Sequence, residues 1–485
     1  MTDTHRLSLS QKTRSLLRLA CAGLLTLPVL LAVPTHAQAP DPTASSQNSD
    51  LPPAGSVRSE KPDAARADPA EASMTPEASA DDAGEMRGLW VVRDSLISPQ
   101  SVHRVVLTAV KYHLNALFVQ VRGRGDAWYN SPYEPRAELL AGQPRDFDPL
   151  RQIVEEAHAN GLQVHAWLNT FLTWSGSRRP RNPQHIFNAH PDWFARDRHG
   201  HCSPIPNDDC EGIFLQPSNP AVQEHLFKVF TDVASRYDID GIHFDYCRYA
   251  GIAYDFSPST LARFRHFMAA QLSAEEVARL DKRLTKDRLA YVHAFGKPWA
   301  DWRRAQITQL VARISAAVKA DKPWMQVSAA VFPDADDAFI YRGQDWRGWL
   351  QAGYLDAVAL MAYGKSTERI LEQTRRAVAA AGGRQVYTGI GAWHLSAHDV
   401  AKKIAQVRRA GAAGVNLFSY GGIHTRPEYL ETLRRGVFAS RAAPRRMRWL
   451  PSRGGVVRRG APEATPPANA SGSTSDRADT AGRQQ

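Results

Sequence analysis

Between residues 86 and 440 the chain alternates short, near-continuous apolar runs with longer stretches of helical period. The apolar runs, rich in Val, Ile, Leu and Phe, cover 88–92, 116–121, 163–168, 241–246, 326–331, 356–361, 385–390 and 415–419. Helical patterns lie between them at 149–160, 221–236, 302–320, 367–380 and 397–409. Asp148-Pro149 supplies a helix start, and Asn160-Gly161 a helix stop. Near-continuous apolar strands joined by helices predict a parallel sheet covered on both faces. Eight such units in one stretch predict a closed (β/α)8 barrel of the TIM-barrel class over an open doubly wound sheet. Gly123-Arg124-Gly125 follows the second run but lacks a third glycine and an immediate helix, so no dinucleotide site is expected.

The flanks read differently. Residues 1–39 join a basic start (Arg6, Lys12, Arg14, Arg18) to an apolar run from Leu19 to Val33 and a small-x-small site at Ala37-Gln38-Ala39. This predicts a signal peptide, a periplasmic or secreted, envelope-associated product, and no stable membrane span after processing. Residues 40–85 are Ala, Pro and Ser rich with a net charge of −7, and 441–485 form a basic tail of net +6; both are expected to be disordered. The barrel segment keeps +9 of the chain's formal +11, which suits an anionic or neutral polymer or a plain solubilising surface. Export removes most opportunity for nucleic acid. Cys202 and Cys210 share a polar loop and are a candidate disulfide in an oxidising compartment, while Cys247 is expected to be buried and unpaired.

If all strands point the same way, their C-terminal ends converge on one rim, where active sites of such barrels lie. Strand alternation sets His165, Trp167 and Asn169 on one side of the third strand. It sets His243 and Asp245 on one side of the fourth, with Ile242 and Phe244 opposite. A carboxylate ending an apolar strand is costly unless it faces a cleft and has partners, so Asp245 is the first candidate for chemistry, expected to open to solvent at the barrel mouth. Ionised, and held by Arg248, His243 or backbone donors, it would act as nucleophile or as stabiliser of an oxocarbenium-like transition state. Asp240, before Gly241, reads as a turn or cap residue at the opposite end.

A glycosidase needs a second carboxylic acid about 5 to 9 Å away. No glutamate ends a strand; Asp334 beyond the fifth strand is preferred as the catalytic partner, and Asp94 after the first comes second. Gln120, Arg122, His165, Trp167, Asn169, His243, Tyr246, Arg248, Tyr363 and Trp393 are the expected substrate-binding residues, the aromatics stacking on sugar faces. Long loops over 170–220 and 247–300 would build a groove wall suited to a polymer. Two alternatives compete: a barrel that binds glycan without cutting it, and a metal-dependent polysaccharide deacetylase or hydrolase using His165, His243 or His394 with Asp245. No His-x-His pair ends the first strand and no Lys ends any strand, so no metal and no cofactor is expected.

The residues also resemble a known family, the glycosyl hydrolase-like 10 proteins. The resemblance rests on Arg87-Gly88-Leu89-Trp90-Val91, on 115–127 (NALFVQVRGRGDA), and on Asp148-Pro149-Leu150 with Glu156-Ala157-His158. It continues through 161–169 (GLQVHAWLN), His190-Pro191-Asp192-Trp193, 236–245 (RYDIDGIHFD) and Asp301-Trp302-Arg303-Arg304. It implies an envelope glycosidase of the kind that cleaves peptide-free peptidoglycan strands, with Asp245, which closes the DGIHFD motif, as catalytic residue. The chain departs from the family where Tyr246-Cys247-Arg248-Tyr249 follows that aspartate, and again after the fifth and sixth strands.

Overall fold

A computed structural model describes residues 84–202 and 211–453. Ten strands are present: β1 (Met86–Val91), β2 (Ala116–Arg122), β3 (Gln163–Asn169), β4 (Leu172–Trp174), β5 (Ile213–Phe214), β6 (Gly241–Asp245), β7 (Gln326–Val331), β8 (Ala357–Leu360), β9 (Gln385–Gly391) and β10 (Gly414–Phe418). Eight of them close a parallel barrel in the order β1-β10-β9-β8-β7-β6-β3-β2, and β4 and β5 form a separate antiparallel pair. The eight barrel strands coincide, within a few residues, with the apolar runs of the sequence. The fold is therefore the expected (β/α)8 barrel.

Helix ends follow local chemistry. The Asp148 carboxylate accepts the Arg151 N–H (3.1 Å) at the start of Pro149–Ala159, and Gly161 takes φ +71° just past its end. A helix not marked in the pattern, Pro99–Lys111, starts with a reciprocal capping box between Ser98 and Ser101. The long segment after β6 folds into helices Pro258–Ala269, Ala274–Leu284 and Ala290–Ala294. These share a small core with Phe256, Phe264, Tyr291, Trp299 and Trp302.

The pleat sorts each strand into two cores. Ile242 and Phe244 face the helices, and the Phe244 ring stacks on Phe230 of helix Pro220–Arg236 at 4.7 Å. The inner core is Trp90, Phe118, Trp167 and Tyr387 packed against Ala330, Ala357 and Ala359. Large and small side chains alternate there, which fills the cylinder without a pore.

The N-terminal end of the barrel is closed by residues expected to belong to the tail. Residues up to 453 take part in this packing. Met447 joins the inner core, Trp449 Nε1 donates to Asp356 (2.9 Å), and Arg453 pairs with Asp238 and Asp240. Asp240 also accepts from the Val164 N–H (2.8 Å) and His158 (2.9 Å), which is the structural role expected of it. Met447→Ala should cost about 2 kcal/mol in a denaturant titration, and an unchanged midpoint would show that the segment is not a plug.

Candidate active site

β6 delivers Asp245 to the C-terminal rim, in register with Asn169 of β3. The backbone then turns sharply. Tyr246 adopts φ +48°, a left-handed conformation rare for a bulky residue and common where a site requires a fixed geometry. The turn aims the Tyr246 N–H back at Asp245 Oδ1 (2.6 Å), while Trp167 Nε1 donates to Oδ2 (3.0 Å) and Arg248 Nη1 approaches Oδ1 at 3.4 Å. Asp245 is more enclosed than expected, only 6% exposed. Burial is the main influence on its carboxyl and raises its pKa to about 6. Arg248, the Tyr246 N–H and Trp167 pull the other way, and the charge of Glu211 adds to the rise.

Glu211 is the acid that the sequence did not suggest. Arg248 Nη2 lies 3.2 Å from Glu211 Oε2, so one guanidinium spans Asp245 and Glu211. A rigid fork cannot bridge groups further apart than its own width plus two hydrogen bonds. The pair therefore falls under the upper limit of about 9.5 Å between paired glycosidase carboxylates. Glu211 reaches the rim because the loop after β3 folds back as the β4–β5 ribbon, Glu211 lying just before β5. Gly212 permits this with φ +143°, and a Cβ there would collide with the Trp174 carbonyl. The short apolar run Ile213-Phe214-Leu215 behind a charged residue was the available signal.

The other expected residues divide by depth. Asn169 accepts from Trp167 Nε1 (3.1 Å) and Gln120 Nε2 (3.3 Å), and donates to the Gly123 carbonyl (2.8 Å). Arg248 stacks over the Tyr246 ring (4.1 Å) and faces Phe332 (5.1 Å). Tyr363 meets Phe418 (5.1 Å) and, edge-on, Trp393 (5.4 Å). Burial, then the neighbouring Asp245 and Tyr246, keeps the Tyr363 hydroxyl protonated. Tyr246, Phe332, Tyr363, Trp393 and Phe418 are all partly exposed, which leaves aromatic faces around the carboxylates.

Burial corrects three expectations, and the two expected partner acids lie in a helix cap and a turn. Arg122 is fully buried and ion-pairs with Glu134 (2.7 Å), so it anchors the loop after β2 and cannot touch a substrate. His165 pairs in register with Gly241 at the foot of β6 and stacks on Phe118 (4.5 Å) inside the barrel, where burial lowers its pKa to about 4. His243 sits one layer below Asp245, accepting from Trp90 Nε1 (3.3 Å) and bonded to Ser328 (2.9 Å). Asp334 caps helix Ala335–Arg342, its carboxylate accepting the Asp336 and Asp337 N–H groups. Asp94 is exposed in the turn Arg93–Leu96.

With both histidines sealed in the core, no three His, Cys, Asp or Glu side chains gather as a metal site among the described residues. This disfavours the metal-dependent deacetylase. Cys247 is buried, as expected, and burial pushes its thiol up to about 12. Cys210 lies outside the described residues, so its proposed pairing with Cys202 is not addressed by them. No described helix is long and apolar enough to cross a membrane.

A closed parallel barrel with bridged carboxylates and aromatic faces on its C-terminal rim is a glycoside-hydrolase-type barrel. The chain belongs to the Glycosyl hydrolase-like 10 family, whose profile matches residues 85–395. It is 27% identical over 341 residues to glycosyl hydrolase DigH of Escherichia coli K12, covering 61% of this chain and 69% of that one. Against glycosyl hydrolase YngK of Bacillus subtilis it is 28% identical over 275 residues, 52% of this chain and 46% of the relative. The fold is also that of the PgaB (BpsB) glycoside hydrolase domain from Bordetella bronchiseptica, with TM-score 0.53 and 18% identity over 72% of this chain and 98% of that one.

The Arg248 bridge makes a spectroscopic prediction. In Arg248→Gln the positive charge opposing burial is gone, so the Asp245 carboxyl should titrate about 1 to 2 pH units higher by carboxyl carbon NMR. An unchanged titration would mean that the two groups are not coupled.

Proposed function

We propose that this protein is an exported glycoside hydrolase acting on a cell-wall or related polysaccharide, with peptide-free peptidoglycan strands as the first substrate to test. One observation carries the reading: a desolvated aspartate and a more open glutamate are bridged by one arginine at the barrel mouth. Asp245 accepts from an indole, a backbone N–H and a guanidinium, the donor set that favours a carboxylate anion. In that form it stabilises the positive charge that develops at the anomeric carbon, or attacks it. Glu211, with a side chain 17% exposed against 8% for Asp245, is the group free to exchange a proton with the leaving oxygen. The anomeric configuration of the first product, read by proton NMR, reports whether Asp245 or water attacks.

The aromatic faces support carbohydrate as the ligand, and the basic barrel supports an anionic polymer. Export is supported by the charged and apolar pattern of residues 1–39. The non-catalytic alternative draws on the enclosure of Asp245, since a group 6% exposed meets substrate only through a narrow opening.

Substitution separates the two. On purified peptide-free strands, Asp245→Asn should lower kcat by at least about 10³-fold and Glu211→Gln by about 10² to 10⁴-fold. Asp94→Asn and Asp334→Asn should change kcat by less than about threefold. Full product release by Asp245→Asn would refute the assignment.

The pH dependence follows from the same group. The carboxyl of Asp245 is held up at about 6, and the reaction needs its ionised form. Activity should therefore fall about tenfold per pH unit as pH drops below 6. A kcat/KM profile flat down to pH 4.5 would exclude Asp245 as the essential anion.

A further inference from the structure

We propose that Arg93 and Arg124 form a carboxylate-binding subsite beside Asp245, so that the sugar held there carries an acidic substituent. The proposal rests on the glycan-cleft reading of the same rim and adds the chemical class of the sugar.

The two arginines leave neighbouring strands. Arg93 opens the turn after β1 and Arg124 follows β2, and these strands pair directly. Arg93 Nη1 donates to Gln120 Oε1 (2.7 Å). Its side chain lies flat over Gly123: a Cβ at that position would stand 2.8 Å from both Nε and Nη1 of Arg93. The absence of a side chain at 123 is thus what lets Arg93 cross toward Arg124. Arg124 is held by Nε donating to Ser175 Oγ (2.9 Å) and by Trp174, whose ring centre is 5.7 Å from its guanidinium carbon. Each guanidinium is fixed through one edge and keeps further N–H donors, and both residues are partly exposed.

Like charges side by side, half out of water, are unfavourable without an anion. Burial first and Arg93 next lower the pKa of Arg124 to about 10. Asp126 and Asp94 offset this in part, as does Tyr246. Yet among the described residues no carboxylate comes within 4.0 Å of either guanidinium, and the Asp126 carboxylate is engaged by the Arg124 backbone N–H (3.1 Å). The fold supplies two positioned forks and leaves the anion to come from outside. Planar forks match a carboxylate better than a point charge would.

The pair borders the catalytic groups. Arg93 and Arg124 both act on Tyr246, the residue after Asp245. A chain of hydrogen bonds also runs from Arg93 through Gln120, Asn169 and Trp167 to Asp245. An acidic sugar seated on the arginines would lie against the rim where the bond is cut. The sugar acid could come from the lactyl ether of a muramic residue or from a uronic acid; both present the same carboxylate.

The test compares peptide-free glycan strands with the same strands amidated by methylamine, with a uronic-acid polymer in parallel. For the unaltered protein, kcat/KM on carboxylate strands should exceed that on amidated strands by about tenfold or more. In Arg93→Gln/Arg124→Gln the ratio should fall to within about threefold of one, and Arg93→Lys/Arg124→Lys should recover part of it, which a purely structural role would not produce. Preference for the uronic-acid polymer would keep the subsite and change only the source of the acid. Strand hydrolysis without discrimination, or discrimination unaffected by the double substitution, would overturn the subsite and leave the hydrolase reading standing. If neither strand is cut but Asp245→Asn binds the carboxylate strand about tenfold more tightly in calorimetry, the hydrolase reading falls and the subsite stands.

Discussion

Arg248 is the residue on which the site turns. Its guanidinium is only 2% exposed and spans the Asp245 and Glu211 carboxylates. A buried carboxylate without a partner would simply hold its proton, and a buried guanidinium without one would not be tolerated. Together they make a charged cluster in which one guanidinium partners both carboxylates. The balance is incomplete, because burial still outweighs the arginine at Asp245. That imbalance gives a carboxyl that changes protonation near neutral pH, which acid–base chemistry requires.

Much of the surrounding architecture can be read as support for that cluster. Tyr246 is held in a left-handed conformation because the Thr170 and Phe171 N–H groups donate to the Asp245 and Tyr246 carbonyls (2.7 and 3.2 Å), continuing the β3–β6 ladder past the strand. The same ring then covers one face of Arg248. Trp167 stands one layer below the rim and reaches up with its indole N–H, so a core residue fixes one carboxylate oxygen. Asn169 orients Trp167 in turn and is locked by the Gly123 carbonyl.

The sequence made the barrel legible because strand and helix periods are local properties, and eight buried parallel strands leave long apolar runs. Asp245 was legible for the same reason, as a charge ending such a run. Depth was not. His165, His243 and Asp245 share a face in the alternation, but which layer each occupies depends on stagger between β3 and β6, fixed only when the barrel closes. Arg122 misled because it lies at the last position of β2, where the register shifts and the side chain turns to Glu134. Glu211 was hidden by distance along the chain. It belongs to no strand end, and only the β4–β5 ribbon brings it over the mouth. The tail misled through composition: arginine is its commonest residue, yet Met447 and Leu450 pack on the inner core.

The two ends of the barrel have opposite electrostatic character, and the contrast explains where function can reside. At the N-terminal end, charges are matched: Asp356 takes Lys319 and Trp449, Asp240 takes His158 and Arg453, and Met447 seals the axis. Such an end adds stability through matched partners. At the C-terminal end a desolvated aspartate, two adjacent arginines and a left-handed tyrosine all stand above their lowest-energy arrangement. Each is a cost to the folded state that a bound glycan could relieve, the acid group by meeting arginine and the anomeric centre by meeting Asp245. Barrels place chemistry at this end because the loops there are free to vary while the opposite end holds the fold. Here the unrelieved costs support the proposed binding face at the rim more directly than any single residue does.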